Sequence, residues 1–150
     1  MPTIGQVNAA IYRNMQMLLG SKLSDFDIKN GQYDFFYVIS LNEGISQKQL
    51  SEHLHISKST TAKAVKNLMS KGYIKKEKDK NDNRMDHLYL TELGRKTAPV
   101  VKKIFIDNLD VAANGLSKTE VKQLVFLMGK VLDNIVAENA RLSGGEDNIE

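Results

Sequence analysis

ISQKQLSEHLHISKSTTAKAVKNLMSKGYI, residues 45–74, carries two helix starts in close succession. Ser46 with Gln49 forms a capping-box pattern, and Ile45 is spaced to staple to Leu50 across the cap. The helix that opens there is about two turns long and ends near His53. Ser57 then caps a second helix, KSTTAKAVKNLMSK. Gly72 closes it, with Tyr73 set to fold back on Leu68 in a Schellman ending. A short helix, a tight turn and a second helix predict a helix-turn-helix. On the second helix Thr61, Ala64, Val65 and Leu68 share the inward face. Ser59, Ala62, Lys63 and Lys66 face outward, with Lys58 at the start.

Working outward, two short strands follow, Tyr73–Lys78 and Asp86–Leu90. In the second, Leu88 and Leu90 lie on one face and His87 and Tyr89 on the other. Between them KDKNDNRM forms a charged tip, so the hairpin makes the helix-turn-helix a winged one. Upstream, Ile4, Val7, Ile11, Met15, Leu18 and Leu19 have helical spacing over residues 4–19. Residues 24–31 read as a loop. QYDFFYVISLNEG reads as a buried helix ending at Gly44. Downstream, Thr91 caps a helix running past Pro99 to about Ala113. Ser117 with Glu120 opens a last helix striped by Val121, Leu124, Met128, Val131 and Ile135.

The expected fold class is mainly α with a small two-stranded β wing: a winged helix-turn-helix with N- and C-terminal dimerisation helices. One domain spans residues 1–142, with a DNA-binding lobe at 30–94 and dimerisation helices at 1–22 and 95–142. Residues 143–150 form a disordered acidic tail. The terminal helices carry more apolar surface than one winged-helix lobe could cover, which argues for pairing with a second copy.

Charge separates along the chain. The net charge is +3, but residues 46–87 hold ten lysines and arginines against five acids, a net +5, leaving −2 elsewhere. Such a cationic segment is the footprint of a polyanion binder. The competing reading, a solvated amphipathic surface helix, does not require a small, hydroxyl-rich first turn beside a cationic hairpin. Ser57, Lys58, Ser59, Thr60, Lys63 and Lys66 are the candidate contacts of the second helix with phosphates and base edges in a major groove. Lys80, Asp82, Asn83 and Arg84 are the candidates at the tip. Arg84 reaches for a minor groove, and Asp82 holds it extended or fixes the loop.

Other chemistries are constrained. There is no cysteine, which excludes disulfides, thiol redox chemistry and thiolate zinc sites. The three histidines, His53, His55 and His87, join no Ser-His-acid arrangement, and no glycine loop suits a phosphate cradle. No enzyme activity, catalytic residue, cofactor or metal site is expected. No apolar run approaches the roughly 20 residues that span a bilayer, and MPTIGQVNAAIYRN does not read as a secretory leader. A cytoplasmic protein without a membrane partner is expected.

At Asp82-x-Arg84, followed by MDHLY and Leu90-Thr91-x-x-Gly94, and at LSEHLHISKSTTAKAVKNLMSKGYI, the chain resembles the MarR family of transcription regulators. The likeness covers residues 30–94 by motif and both ends by helix pattern. It implies an obligate homodimer on a near-palindromic double-stranded operator, with one winged helix per half-site and Arg84 in the minor groove. It also implies a repressor released by a small aromatic or anionic effector. Tyr12, Arg13 and Phe36 are the candidate effector contacts, with Phe26, Tyr33, Phe35 and Tyr37 beside them. Against that stands the reading of these aromatics as core. His55 is a departure, since many relatives have glycine or another small residue in that turn. Two alternatives remain: a zinc-responsive regulator of the same fold, which needs three or four converging ligands, and a winged helix that contacts proteins.

Overall fold

A computed structural model describes residues 1–29 and 31–144. Within them the elements run α1 (Ile4–Lys22), α2 (Tyr33–Leu41), α3 (Gln47–Leu54), α4 (Lys58–Ser70), β1 (Ile74–Lys78), β2 (Asp86–Leu90), α5 (Glu92–Ala112) and α6 (Lys118–Gly144). The chain divides into two compact units, Met1–Leu109 and the part that begins at Asp110.

Local chemistry sets most helix ends. Thr3 and Gln6 make a reciprocal capping box at α1, as Ser46 and Gln49 do at α3. α1 runs a turn beyond the apolar spacing to Lys22, whose ammonium donates to Asn108 Oδ1 on α5 at 2.7 Å. At the end of α4, Gly72 N–H donates to Met69 O and Tyr73 N–H to Leu68 O, both at 3.0 Å. Those are the two bonds of a Schellman ending, and Gly72 takes the left-handed φ of 82° that it needs.

α2 ends at Leu41, not at Gly44. The Asn42 amide donates to Val38 O at 2.9 Å and so caps the last turn. Gly44 does adopt a left-handed φ, 92°, but its purpose lies elsewhere. Its N–H donates to Leu88 O at 2.7 Å, and Leu88 N–H returns to Ile45 O at 2.9 Å. With a bridge between Ser46 and His87, the α2–α3 turn becomes a short third line on the far side of β2. β1 and β2 pair antiparallel, from Ile74 opposite Leu90 to Lys78 opposite Asp86.

The core of the first unit joins Leu19 and Leu23 to Phe36 and Ile39 of α2, Leu50 of α3, Val65 and Leu68 of α4, Leu88 and Leu90 of β2, and Val101 of α5. Each fully buried side chain of this size contributes about 1.5–3 kcal/mol. The Phe36 ring meets Tyr73 edge-on, with centroids 5.7 Å apart. Gly94 explains the Leu90-Thr91-x-x-Gly94 spacing: a Cβ there would lie 2.1 Å from the Tyr73 carbonyl oxygen. The first turn of α5 thus rests directly on the turn that leads into β1. Thr91 binds the same turn, donating through its hydroxyl to Gly72 O and accepting from Gly94 N–H.

In the second unit, Ser117 and Glu120 cap α6 reciprocally. No described residue of α6 is buried, and Leu124, Val125, Phe126, Leu127, Leu132 and Ile135 are all exposed. Of the tail expected at 143–150, the first two residues are helical instead, because α6 continues through them. Ser143 and Gly144 belong to α6, where the Ser143 hydroxyl donates to Asn139 O at 2.9 Å; residues 145–150 lie outside the described residues. No helix among the described residues is long and apolar enough to cross a membrane.

Candidate nucleic-acid interface

α4 buries Thr61, Ala64, Val65 and Leu68 and exposes Ser59, Ala62, Lys63 and Lys66, the two faces that the spacing predicts. Its first turn is a small hydroxyl cluster. Ser57 Oγ accepts from Thr60 N–H at 3.2 Å and donates to Thr60 Oγ1 at 2.9 Å, and it lies 3.2 Å from Ser59 Oγ. Thr61 donates back to Ser57 O at 3.0 Å. The hydroxyls of Ser57, Ser59 and Thr60 are therefore exposed but pre-engaged with one another. Among the described residues, Lys58, Lys63, Lys66 and Lys80 have no carboxylate within ion-pair distance. A face of unneutralised lysines around small side chains can approach a phosphate backbone closely.

The turn before α4 holds His55 at φ 52°, the one non-glycine residue with positive φ among those described. Its N–H donates to Glu52 O at 3.3 Å, and Ile56 N–H to Ser51 O at 3.0 Å. The turn thus keeps the left-handed backbone that glycine favours, although its side chain must tolerate it. His53 and His55 are both exposed.

At the wing tip the Arg84 side chain is 90% exposed. Asp82 Oδ1 accepts from both the backbone N–H of Arg84, at 3.0 Å, and its Nε, at 3.2 Å. Asp82 therefore orients the arginine, while the terminal nitrogens of the guanidinium stay free. Asn83 and Lys80 are exposed beside it.

Two anchors of the wing were not singled out from sequence. His87 lies between the wing and the α2–α3 turn, with Nδ1 2.8 Å from Gly44 O and Nε2 2.7 Å from Asp79 Oδ2. Asp79 Oδ1 accepts in turn from the N–H groups of Asn81 and Asp82. The His87 bond, followed by these two N–H groups, holds the Asp79 carboxyl below the usual range. Glu43 forms the second anchor, pairing with Arg95 at 2.9 and 3.1 Å and accepting from Leu90 N–H at 2.9 Å. The Leu90 bond first, and Arg95 after it, keep the Glu43 carboxyl low. Strand alternation and a hairpin closed at Lys78–Asp86 were the available signal for His87 and Asp79.

The candidate effector residues are not gathered. The Phe36 ring is fully buried, whereas Tyr12 and Arg13 are exposed on α1. Tyr37 stacks on Phe105 at 4.4 Å, and the Tyr33 hydroxyl donates to Leu23 O at 2.7 Å. An open cleft of about 500 Å³ is lined by Met17, Gly20, Ser21, Leu23, Ser24, Phe26, Ile28 and Tyr33. Among the described residues no three His, Asp or Glu side chains converge as metal ligands would.

A family model described as the MarR family matches residues 26–85. The HTH-type transcriptional regulator YybA of Bacillus subtilis (strain 168) is 30% identical over 125 residues, 83% of each chain. The HTH-type transcriptional regulator BilQ of Clostridioides difficile (strain CD3) is 27% identical over 123 residues, 82% of this chain and 83% of that one. A MarR family transcriptional regulator from Listeria monocytogenes, solved in complex with 26mer DNA, superposes with a TM-score of 0.88 at 27% identity, over 97% of both chains. With the helix-turn-helix and wing described above, these likenesses identify the chain as a member of the MarR family of winged helix-turn-helix transcriptional regulators.

Proposed function

We propose that the chain is a sequence-specific binder of double-stranded DNA that works as a homodimer and represses transcription from a near-palindromic operator. α4 enters the major groove with Ser57, Lys58, Ser59, Thr60, Lys63 and Lys66, and the wing brings Arg84, supported by Lys80, Asp82 and Asn83, to the adjacent minor groove. The observation that carries the reading is the contrast in charge pairing: the acids of the wing are tied up within it, while the α4 lysines have no carboxylate partner among the described residues and Arg84, held by Asp82 through Nε, turns an exposed guanidinium to solvent. The DNA bound to the Listeria relative supports it.

Homodimerisation is supported by the apolar side chains of α6 and by exposed Ile4, Val7 and Ile11 on α1, which a second copy would cover. A two-fold dimer calls for half-sites about one helical turn apart. We further infer release by a small aromatic or anionic ligand. Exposed Tyr12 and Arg13 suit such a ligand better than fully buried Phe36.

The test is selection of bound duplexes from a random library, followed by footprinting of the winner and sedimentation of the free protein. The expected result is a dimer protecting two inverted half-sites. A monomer, or a selected pool without inverted symmetry, would refute it. Thermal-shift screening of aromatic acids tests the effector, with a raised melting temperature expected from a ligand that binds the native state.

A further inference from the structure

His87 makes two hydrogen bonds that together require two protons. The Gly44 carbonyl oxygen facing Nδ1 can only accept. The Asp79 carboxylate facing Nε2 accepts as well, for its other oxygen already takes the N–H groups of Asn81 and Asp82. Both ring nitrogens must therefore donate, and only the imidazolium has two donors. A neutral ring keeps one of these bonds and turns a lone pair towards the other oxygen. The contacts run in series from the α2–α3 turn through His87 and Asp79 to the backbone at Asp82, and from the Asp82 carboxylate to Arg84.

We propose that His87 is a positioning residue for Arg84: as an imidazolium it ties the wing tip to the α2–α3 turn, and duplex affinity falls as the ring loses its proton. The proposal rests on the reading of Arg84 as a groove contact.

The charged surroundings agree. Asp79, where the wing tip leaves β1, and Asp86 on β2 both favour the cation, and the Asp79 bond, followed by that to Gly44, raises the His87 pKa above the ordinary histidine value. Across the ladder stands Glu77, itself paired with Lys75 at 3.0 Å. Glu43, beside Gly44, is engaged by Arg95. Because the folded value lies above the unfolded one of 6.5, the tie is complete below about pH 6.5 and is lost as pH rises through the raised value. At the acid end, Asp79 titrates below its ordinary 3.8, so the tie persists down to that lowered value.

The test measures fluorescence anisotropy of a labelled A/T-rich duplex, long enough for two half-sites, at about pH 6 and about pH 8.5 and constant ionic strength. Wild type, His87→Gln, Asp79→Asn and Arg84→Ala are compared. Histidine ring nitrogens of the free wild-type protein are titrated by NMR in parallel. Wild type should bind about fivefold more weakly at the higher pH, the scale of one hydrogen bond. His87→Gln and Asp79→Asn should bind weakly at both and lose that step. Arg84→Ala should lose the step too, because the tie then positions nothing. The NMR should show a doubly protonated His87 ring whose titration midpoint lies above the ordinary histidine value of 6.5. A full step in His87→Gln or Arg84→Ala overturns the proposal, as does a wild type that binds equally at both pH values while His87 titrates between them. A wild type that binds at neither pH brings down the DNA reading itself, and this proposal with it.

Discussion

α4 and the wing present their cations by opposite means. α4 is fixed by apolar packing, with Val65 and Leu68 fully buried and a Schellman turn closing its end. The wing is buried only at Ile74 of β1 and Leu88 and Leu90 of β2; the other four residues of β1 are all exposed, and the tip has no apolar hold. That outer part is kept in place by polar and ionic contacts, His87 to Asp79 and Asp82 to Arg84, with Glu43 and Arg95 bracing the base at Leu90. Packing of the first kind responds little to pH or salt. Contacts of the second kind respond to both, through protonation and screening. One half of the proposed DNA surface is thus held by burial, and the tip of the other half is conditional on its solvent.

Four substitutions probe this contrast. The largest effect is expected from Leu68→Ala, which empties a fully buried site and should cost about 3 kcal/mol of stability in urea unfolding. A loss well under 1 kcal/mol would show that α4 is not held by its packing. Gly94→Ala forces a methyl group against the Tyr73 carbonyl at the junction of the two regions. It should cost about 2 kcal/mol and weaken DNA binding with it; an unchanged melting temperature would mean that the close approach is relieved cheaply. Arg84→Ala should leave the fold and dimer intact but lower duplex affinity about tenfold, and equal affinity would remove the wing from recognition. Lys63→Ala should weaken binding only severalfold and reduce the slope of log affinity against log salt by about one. A constant slope would mean that Lys63 touches no phosphate.

How far the sequence could be read depends on the distance over which each contact acts. Ser46–Gln49, Ser57 and Ser117–Glu120 act within one helical turn, and each is recognisable from residue type and spacing. Thr3–Gln6 carries the same signature, but apolar spacing alone does not reveal it. Asp82 and Arg84 are equally local. The anchors of the wing are not: Glu43 meets Arg95 fifty-two residues away, and Gly44 serves a strand that begins only at Asp86. Gly44 therefore looked like the stop of a helix that Asn42 in fact ends. His87 is legible only once hairpin register is fixed, because its two partners lie in different loops. The stripe on α6 announced a helix, but sequence spacing does not say what covers it.

The pairing of the Gly44–Ser46 turn with β2 leaves β1 as the margin of the small sheet. A bare margin offers unpaired amides and carbonyls to any passing strand, which is how such sheets come to stack into aggregates. Here that margin reads Ile-Lys-Lys-Glu-Lys, so a would-be neighbour meets ammonium groups before it meets the backbone. The same lysines that crowd positive charge onto the hairpin also keep the molecule from polymerising along it.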